Sequence, residues 1–131
     1  MKVCHIINSF NNGGAENILL KICEASKDNK NITQHYVISL ISNGDLFNQF
    51  KNTSANVFEL NFKKNFFFLS EVFKLFKIVK QIQPNILMGW MYHASILVYL
   101  IGKLLKIKEI YWNIRHTKLV FLKSSIITIC I

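Results

Sequence analysis

Three short segments hold the residues whose types and spacing could do chemistry: Gly13-Gly14-Ala15-Glu16, Gly89-Trp90-Met91-Tyr92-His93-Ala94 and Arg115-His116-Thr117. Paired glycines let a backbone approach a diphosphate closely, and a helix opening at Ala15 aims free N–H groups and a positive dipole end at that spot. Trp90 and Tyr92 offer faces that stack on a sugar or on an apolar acceptor chain. His93 at the start of a helix offers an imidazole that can donate or accept. Arg115 is the single arginine, a fixed cation suited to phosphate, and His116 beside it could hold a sugar hydroxyl or polarise a reacting oxygen. Each segment also has a plainer reading as a turn, as packing or as a solvated loop. Convergence on one edge of the fold is what would turn them into a site.

Other chemistries are disfavoured. The glycines do not form G-x-G-x-x-G, and no acidic residue closes the second apolar run to bind a ribose, which argues against a dinucleotide oxidoreductase. G-x-x-x-x-G-K-[ST] is missing, so a P-loop NTPase is excluded. No His, Cys, Asp or Glu spacing suits a metal, no nucleophile elbow is present, and Asp28 and Asp45 fall in separate turns. His5 reads as a packed core residue, and His35 as the surface residue that opens a strand.

The elements that must position these residues alternate. Lys2–Asn8 reads as a strand, Ala15–Lys27 as a helix, His35–Ile41 as a strand, Leu46–Lys51 as a short helix and Asn56–Leu60 as a third strand. Ser70–Gln83 follows as a helix with Val72, Phe73, Phe76 and Val79 on one side and Lys74 and Lys77 on the other, stopped by Pro84. Asn85–Trp90, His93–Leu105 and Lys108–Ile114 complete a strand, helix, strand series. Apolar strands alternating with helices predict an α/β, Rossmann-like parallel sheet flanked by helices, with ligands beyond the carboxyl ends of the strands.

The chain has 131 residues, enough for one core. Half of it is apolar, with 11 Phe, so disorder is a poor account of any long stretch. Its 16 basic against 7 acidic residues give a net charge of +9 and favour anionic partners. Because all but one of the cations are Lys, sequence-specific recognition of nucleic acid is not expected. Cys4, Cys23 and Cys130 are scattered and odd in number, which fits buried, reduced thiols. The N-terminal apolar run is too short for a signal peptide, so a cytoplasmic location is expected. Ile86–Ile101 is uncharged over 16 residues, short of the roughly 20 that span a bilayer, and divides naturally into strand and helix.

Taken together, the opening strand with Gly13-Gly14-Ala15-Glu16, then Pro84-Asn-Ile-Leu-Met-Gly-Trp-Met-Tyr-His-Ala94, then Tyr111-Trp-Asn-Ile-Arg-His-Thr117, resemble the N-terminal domain of a family-4 glycosyltransferase of the GT-B architecture. The resemblance spans residues 1–118, with 119–131 an apolar tail that looks like an unfinished element of the same domain. It implies an incomplete GT-B N-terminal domain, the acceptor-side half of a retaining hexosyltransferase of surface-polysaccharide biosynthesis, inactive without a donor domain. Gly13 and Gly14 match the loop against the donor diphosphate, and His116 the histidine that reaches the transferred sugar. Arg115 and His93 match polar positions on the acceptor side, where Trp90 and Tyr92 also fall. No cofactor or metal is implied: the donor substrate is a nucleotide sugar and the acceptor a glycan or lipid-linked molecule.

A separate C-terminal half would then be a partner. Peripheral contact with the inner membrane face is expected through Lys63, Lys64, Lys74 and Lys77 among the phenylalanines of 66–76. The alternative reading is a non-catalytic, flavodoxin-like module that uses the same loop rim for a phosphorylated ligand or an acidic partner.

Overall fold

A computed structural model describes residues 1–29, 33–62 and 68–114. Five strands, β1 (Lys2–Ile7), β2 (Gln34–Ser39), β3 (Asn56–Glu59), β4 (Ile86–Trp90) and β5 (Glu109–Asn113), form one sheet in the order β3-β2-β1-β4-β5. Every pairing is parallel. The architecture is α/β and Rossmann-like, as the alternation predicts. Four helices, α1 (Gly14–Ala25), α2 (Phe47–Lys51), α3 (Phe68–Ile82) and α4 (Met91–Leu104), make the crossovers.

The central position of β1 explains its composition. Val3 through Ile7 are all buried, because a parallel strand covered by helices on both faces has no solvent side. Cys4 and Ile6 point into a core beneath α3 and α4, shared with Leu75, Val79, Leu97, Val98 and Ile101. Ile7 points the other way, with Leu19 and Cys23 of α1, Phe50 of α2, and Trp90. Each fully buried Leu or Phe of these two layers stabilises the fold by about 1.5–3 kcal/mol. Burial pushes the Cys4 and Cys23 thiols up to about 12, and both are free.

The expected division of 86–101 holds, while other expectations shift. The segment 86–101 is a strand and a separate helix, and α4 at 14 residues is about 21 Å long, too short for a bilayer core of about 30 Å. Among the described residues no helix is long and apolar enough to cross a membrane. α4 starts two residues earlier than its periodicity suggests, directly off β4, because Met91 takes the left-handed conformation at φ 69° and turns strand into helix without a loop. On α3 the buried stripe is Leu75, Val79 and Ile82, spaced i, i+4, i+7. Phe73, two residues from Leu75, therefore faces outward and is 57% exposed under the Lys77 ammonium, 4.8 Å from the ring centroid.

His35 is a correction as well: it is buried rather than on the surface, since β2 is an inner strand and its second residue falls beneath α1. Cys130 and the tail 119–131 lie outside the described residues.

Candidate functional site

β1 lies between β2 and β4, and the chain crosses back over it between β3 and β4. The carboxyl ends of β1 and β4 therefore flank a topological switch point, where crossovers leave on opposite faces and open a crevice. α1 departs over one layer of the core and α4 over the other. Gly13-Gly14 and the Trp90–His93 segment thus share one edge of the sheet. β5 delivers the chain to the same edge, Asn113 pairing with Trp90. Arg115 and His116 lie outside the described residues.

The turn after β1 is braced by its own amides. Gly13 N donates to Asn11 O at 2.9 Å, and Asn17 Nδ2 donates to Asn12 Oδ1 at 2.7 Å and Gly13 O at 2.8 Å. Gly13 is the N-cap of α1 and no side chain caps the helix. Neither glycine has positive φ, so backbone strain does not explain them. A Cβ on Gly13 would collide with the Glu16 carboxyl group, which curls back over the turn, whereas a Cβ on Gly14 would meet nothing within 4 Å. Gly14 therefore leaves space at the open N-terminus of a 12-residue helix, where partial positive charge favours an anion.

The aromatic segment divides. Trp90 is 1% exposed and its ring lies in the core beneath α1, so it does not sit on the acceptor side as a stacking face. Strand alternation is the reason: as the last residue of β4 it shares the parity of Met88, which points into the α1 layer. Tyr92 and His93, on the first turn of α4, are exposed. Gly89 permits this arrangement, because a Cβ there would come within 2.7 Å of Ser95 Cα and push α4 off the strand.

His93 also borders a cavity of about 420 Å³ at this edge. Asn8 just beyond β1, Leu40 and Ile41 beyond β2, and Phe62 beyond β3 line it from the sheet; Phe68 of α3 and Ile96 and Leu97 of α4 line it from the helices. It opens on the α3/α4 side, across the sheet from α1. Asn8 Oδ1 is buried and has no hydrogen-bond partner among the described residues.

A second polar feature is one that no local sequence pattern announces. Trp90 Nε1 donates to His5 Nδ1 at 3.2 Å, His5 Nε2 lies 3.0 Å from His35 Nδ1, His35 Nε2 lies 3.0 Å from Ser26 Oγ, and Ser26 Oγ donates to Ile22 O at 2.7 Å. An indole only donates and the terminal carbonyl only accepts, so the series runs in one direction with both imidazoles protonated on Nε2. The two rings lie edge to edge and nearly coplanar, with centroids 5.3 Å apart and 13° between planes. Burial, reinforced by His35, lowers the His5 pKa to about 3, and burial lowers that of His35. Both are neutral. The available signal was parity: His5, His35 and Trp90 share one face only when β1, β2 and β4 are neighbours in this register.

Among the described residues no group of three His, Cys, Asp or Glu side chains could hold a metal ion. No family model matches the chain, and no curated protein matches it. Solved structures do. MurG of Acinetobacter baumannii is similar with a TM-score of 0.58 at 16% identity, over 83% of this chain and 33% of MurG. The C-terminal domain of the PF1911 hydrogenase from Pyrococcus furiosus is similar with a TM-score of 0.53 at 12% identity, over 88% of this chain and 90% of that domain. The chain thus spans about a third of MurG, and both likenesses are likenesses of fold.

Proposed function

We propose that this chain is the acceptor-side, N-terminal part of a retaining, family-4-like glycosyltransferase of GT-B architecture, working with a donor domain that the described residues do not contain. The observation that carries the reading is the shared edge: an open helix N-terminus at Gly13-Gly14 and the Tyr92-His93 turn flank one switch point of a parallel sheet. The likeness to MurG, a GT-B glycosyltransferase, supports it at the level of fold.

In this reading a nucleotide sugar places its diphosphate at the α1 N-terminus, where fixed N–H dipoles stabilise the charge that builds as the sugar–phosphate bond breaks. His116 contacts the transferred sugar, and Arg115 lines the acceptor side. His93 and Tyr92 border the acceptor, a glycan or lipid-linked hydroxyl, and Trp90 holds the turn from below. Lys77 over Phe73 belongs to the basic-aromatic surface proposed for peripheral contact with the inner face of the membrane. Lys63 and Lys64, also part of that proposal, lie outside the described residues.

The test is reconstitution. Joined to a GT-B donor domain, the chain should transfer sugar from a nucleotide sugar, and His116→Ala should slow transfer at least tenfold, about 1.4 kcal/mol of barrier. An unchanged rate would remove His116 from the site. The second reading, a non-catalytic module for a phosphorylated ligand or an acidic partner, draws on the hydrogenase domain, which this chain covers almost entirely. Tight binding of a nucleotide by the chain alone, with no transfer after joining, would favour it.

A further inference from the structure

We propose that the cavity beside His93 is a binding site for an uncharged apolar group that carries a hydroxyl, with Asn8 Oδ1 accepting the hydroxyl hydrogen. At about 420 Å³ the cavity falls within the range of roughly 300–1,000 Å³ typical of small-molecule sites. Its walls choose the chemistry. Among the described residues eight line it: six are apolar, none is Lys, Arg, Asp or Glu, and the two polar ones, Asn8 and His93, are both at the sheet edge. An ionised ligand would lose hydration there without gaining a counter-charge from these eight side chains. An apolar ring or short chain loses nothing.

Asn8 supplies the specificity. A buried amide oxygen without a donor has lost its hydration and gained nothing in return, so an occupant that brings an O–H recovers part of that cost. Asn8 lines the cavity and its terminal amide torsion is broad and soft, so the oxygen can turn to meet the hydroxyl of an occupant. Asn8 follows Ile7 directly, so its backbone is held by the innermost strand while the side chain remains adjustable. This site is distinct from the Gly13-Gly14 turn: it opens on the other face of the sheet and is built for a neutral group. Under the transferase reading it would hold the apolar, hydroxyl-bearing part of an acceptor, but binding itself does not depend on that reading.

Titration of the full chain with 4-butylphenol, butylbenzene and 4-butylbenzoate, read by calorimetry and by amide NMR shifts, tests the proposal. The phenol is expected to bind about tenfold more tightly than butylbenzene, the worth of one hydrogen bond, and the benzoate most weakly. Asn8→Leu should erase the preference for the phenol while keeping affinity for butylbenzene, which also shows that the variant is folded. Ile96→Trp, at a position already 56% exposed, should block all three. Equal binding of phenol and butylbenzene by the unaltered chain, shifts that map away from residues 8, 40–41 and 96–97, or no binding of any probe would overturn it. None of these results touches transfer activity, so failure here leaves the transferase reading to its own assay.

Discussion

The Trp90 indole N–H and His5 Nδ1, 85 residues apart in sequence, meet at 3.2 Å in the centre of the molecule and lock the end of β4 to the middle of β1. Trp90 directly precedes Met91, the left-handed residue that turns β4 into α4 and sets Tyr92 and His93 on the rim. Trp90 therefore acts on the candidate site from below, and the strain at Met91 is held by a side chain that cannot leave the core.

Trp90→Phe keeps most of the buried ring and removes the donor, leaving His5 Nδ1 without its partner. Loss of about 1–3 kcal/mol of unfolding free energy is expected in urea denaturation, with an unchanged m value. A loss below about 0.5 kcal/mol, the low end for a hydrogen bond, would mean the contact is incidental.

The two imidazoles make stability depend on pH. Their folded pKa values lie below the unfolded value near 6.5, so below that pH the unfolded chain binds more protons than the native one. Their contribution is complete above about pH 6.5 and is lost as pH falls toward the His5 value of about 3. Glu71, whose carboxyl is held low mainly by its bond from Lys74, adds to the loss only below its ordinary value of 4.5. Denaturation midpoints measured between pH 6.5 and 5 should therefore decline, and the decline should flatten in a His5→Phe, His35→Phe double variant. A flat profile in the unaltered chain would contradict the buried neutral pair.

Gly14→Ala separates access from folding. With open space around the new methyl and an ordinary φ, stability should be unchanged or rise by up to about 1 kcal/mol. In the reconstituted transferase the same methyl would stand where the diphosphate is proposed to lie, and nucleotide-sugar affinity should fall. Retained affinity would place the donor elsewhere.

Gly89→Ala should behave oppositely. The added methyl meets Ser95 Cα at 2.7 Å and Ser95 N at 3.0 Å, both backbone atoms of α4, so relief requires moving the helix. A loss of about 1–3 kcal/mol is expected by thermal or chemical denaturation. Full stability would show that α4 has room to shift.

Much of the fold was legible because hydrophobic period and punctuation act locally. Apolar runs at 2–8 and 86–90, the stop at Pro84 and the helical spacing after Gly14 bring every strand within a residue or two of its observed ends. The differences have non-local causes. One helix face in isolation cannot tell a core phenylalanine from one beneath Lys77, so Phe73 reads with the apolar side. His35 reads as a surface residue because it opens its strand, and only the place of β2 beside β1 buries it. Trp90 reads as part of the rim because it ends a strand, and only the parity shared with Met88 turns it inward.

By itself the sequence determined the α/β alternation, the parallel class of the sheet and the presence of the diglycine and aromatic-imidazole segments at strand ends, because these depend on residues a few positions apart. Tertiary structure alone decided the strand order β3-β2-β1-β4-β5, and with it everything that needs three strands at once. The Trp90–His5–His35 series arises where residues 30 and 85 positions apart are brought side by side, and the Asn8 cavity where residues as far apart as Asn8 and Leu97 are. A parallel sheet sets its neighbours through long crossovers, and no local pattern encodes which edge a crossover will choose.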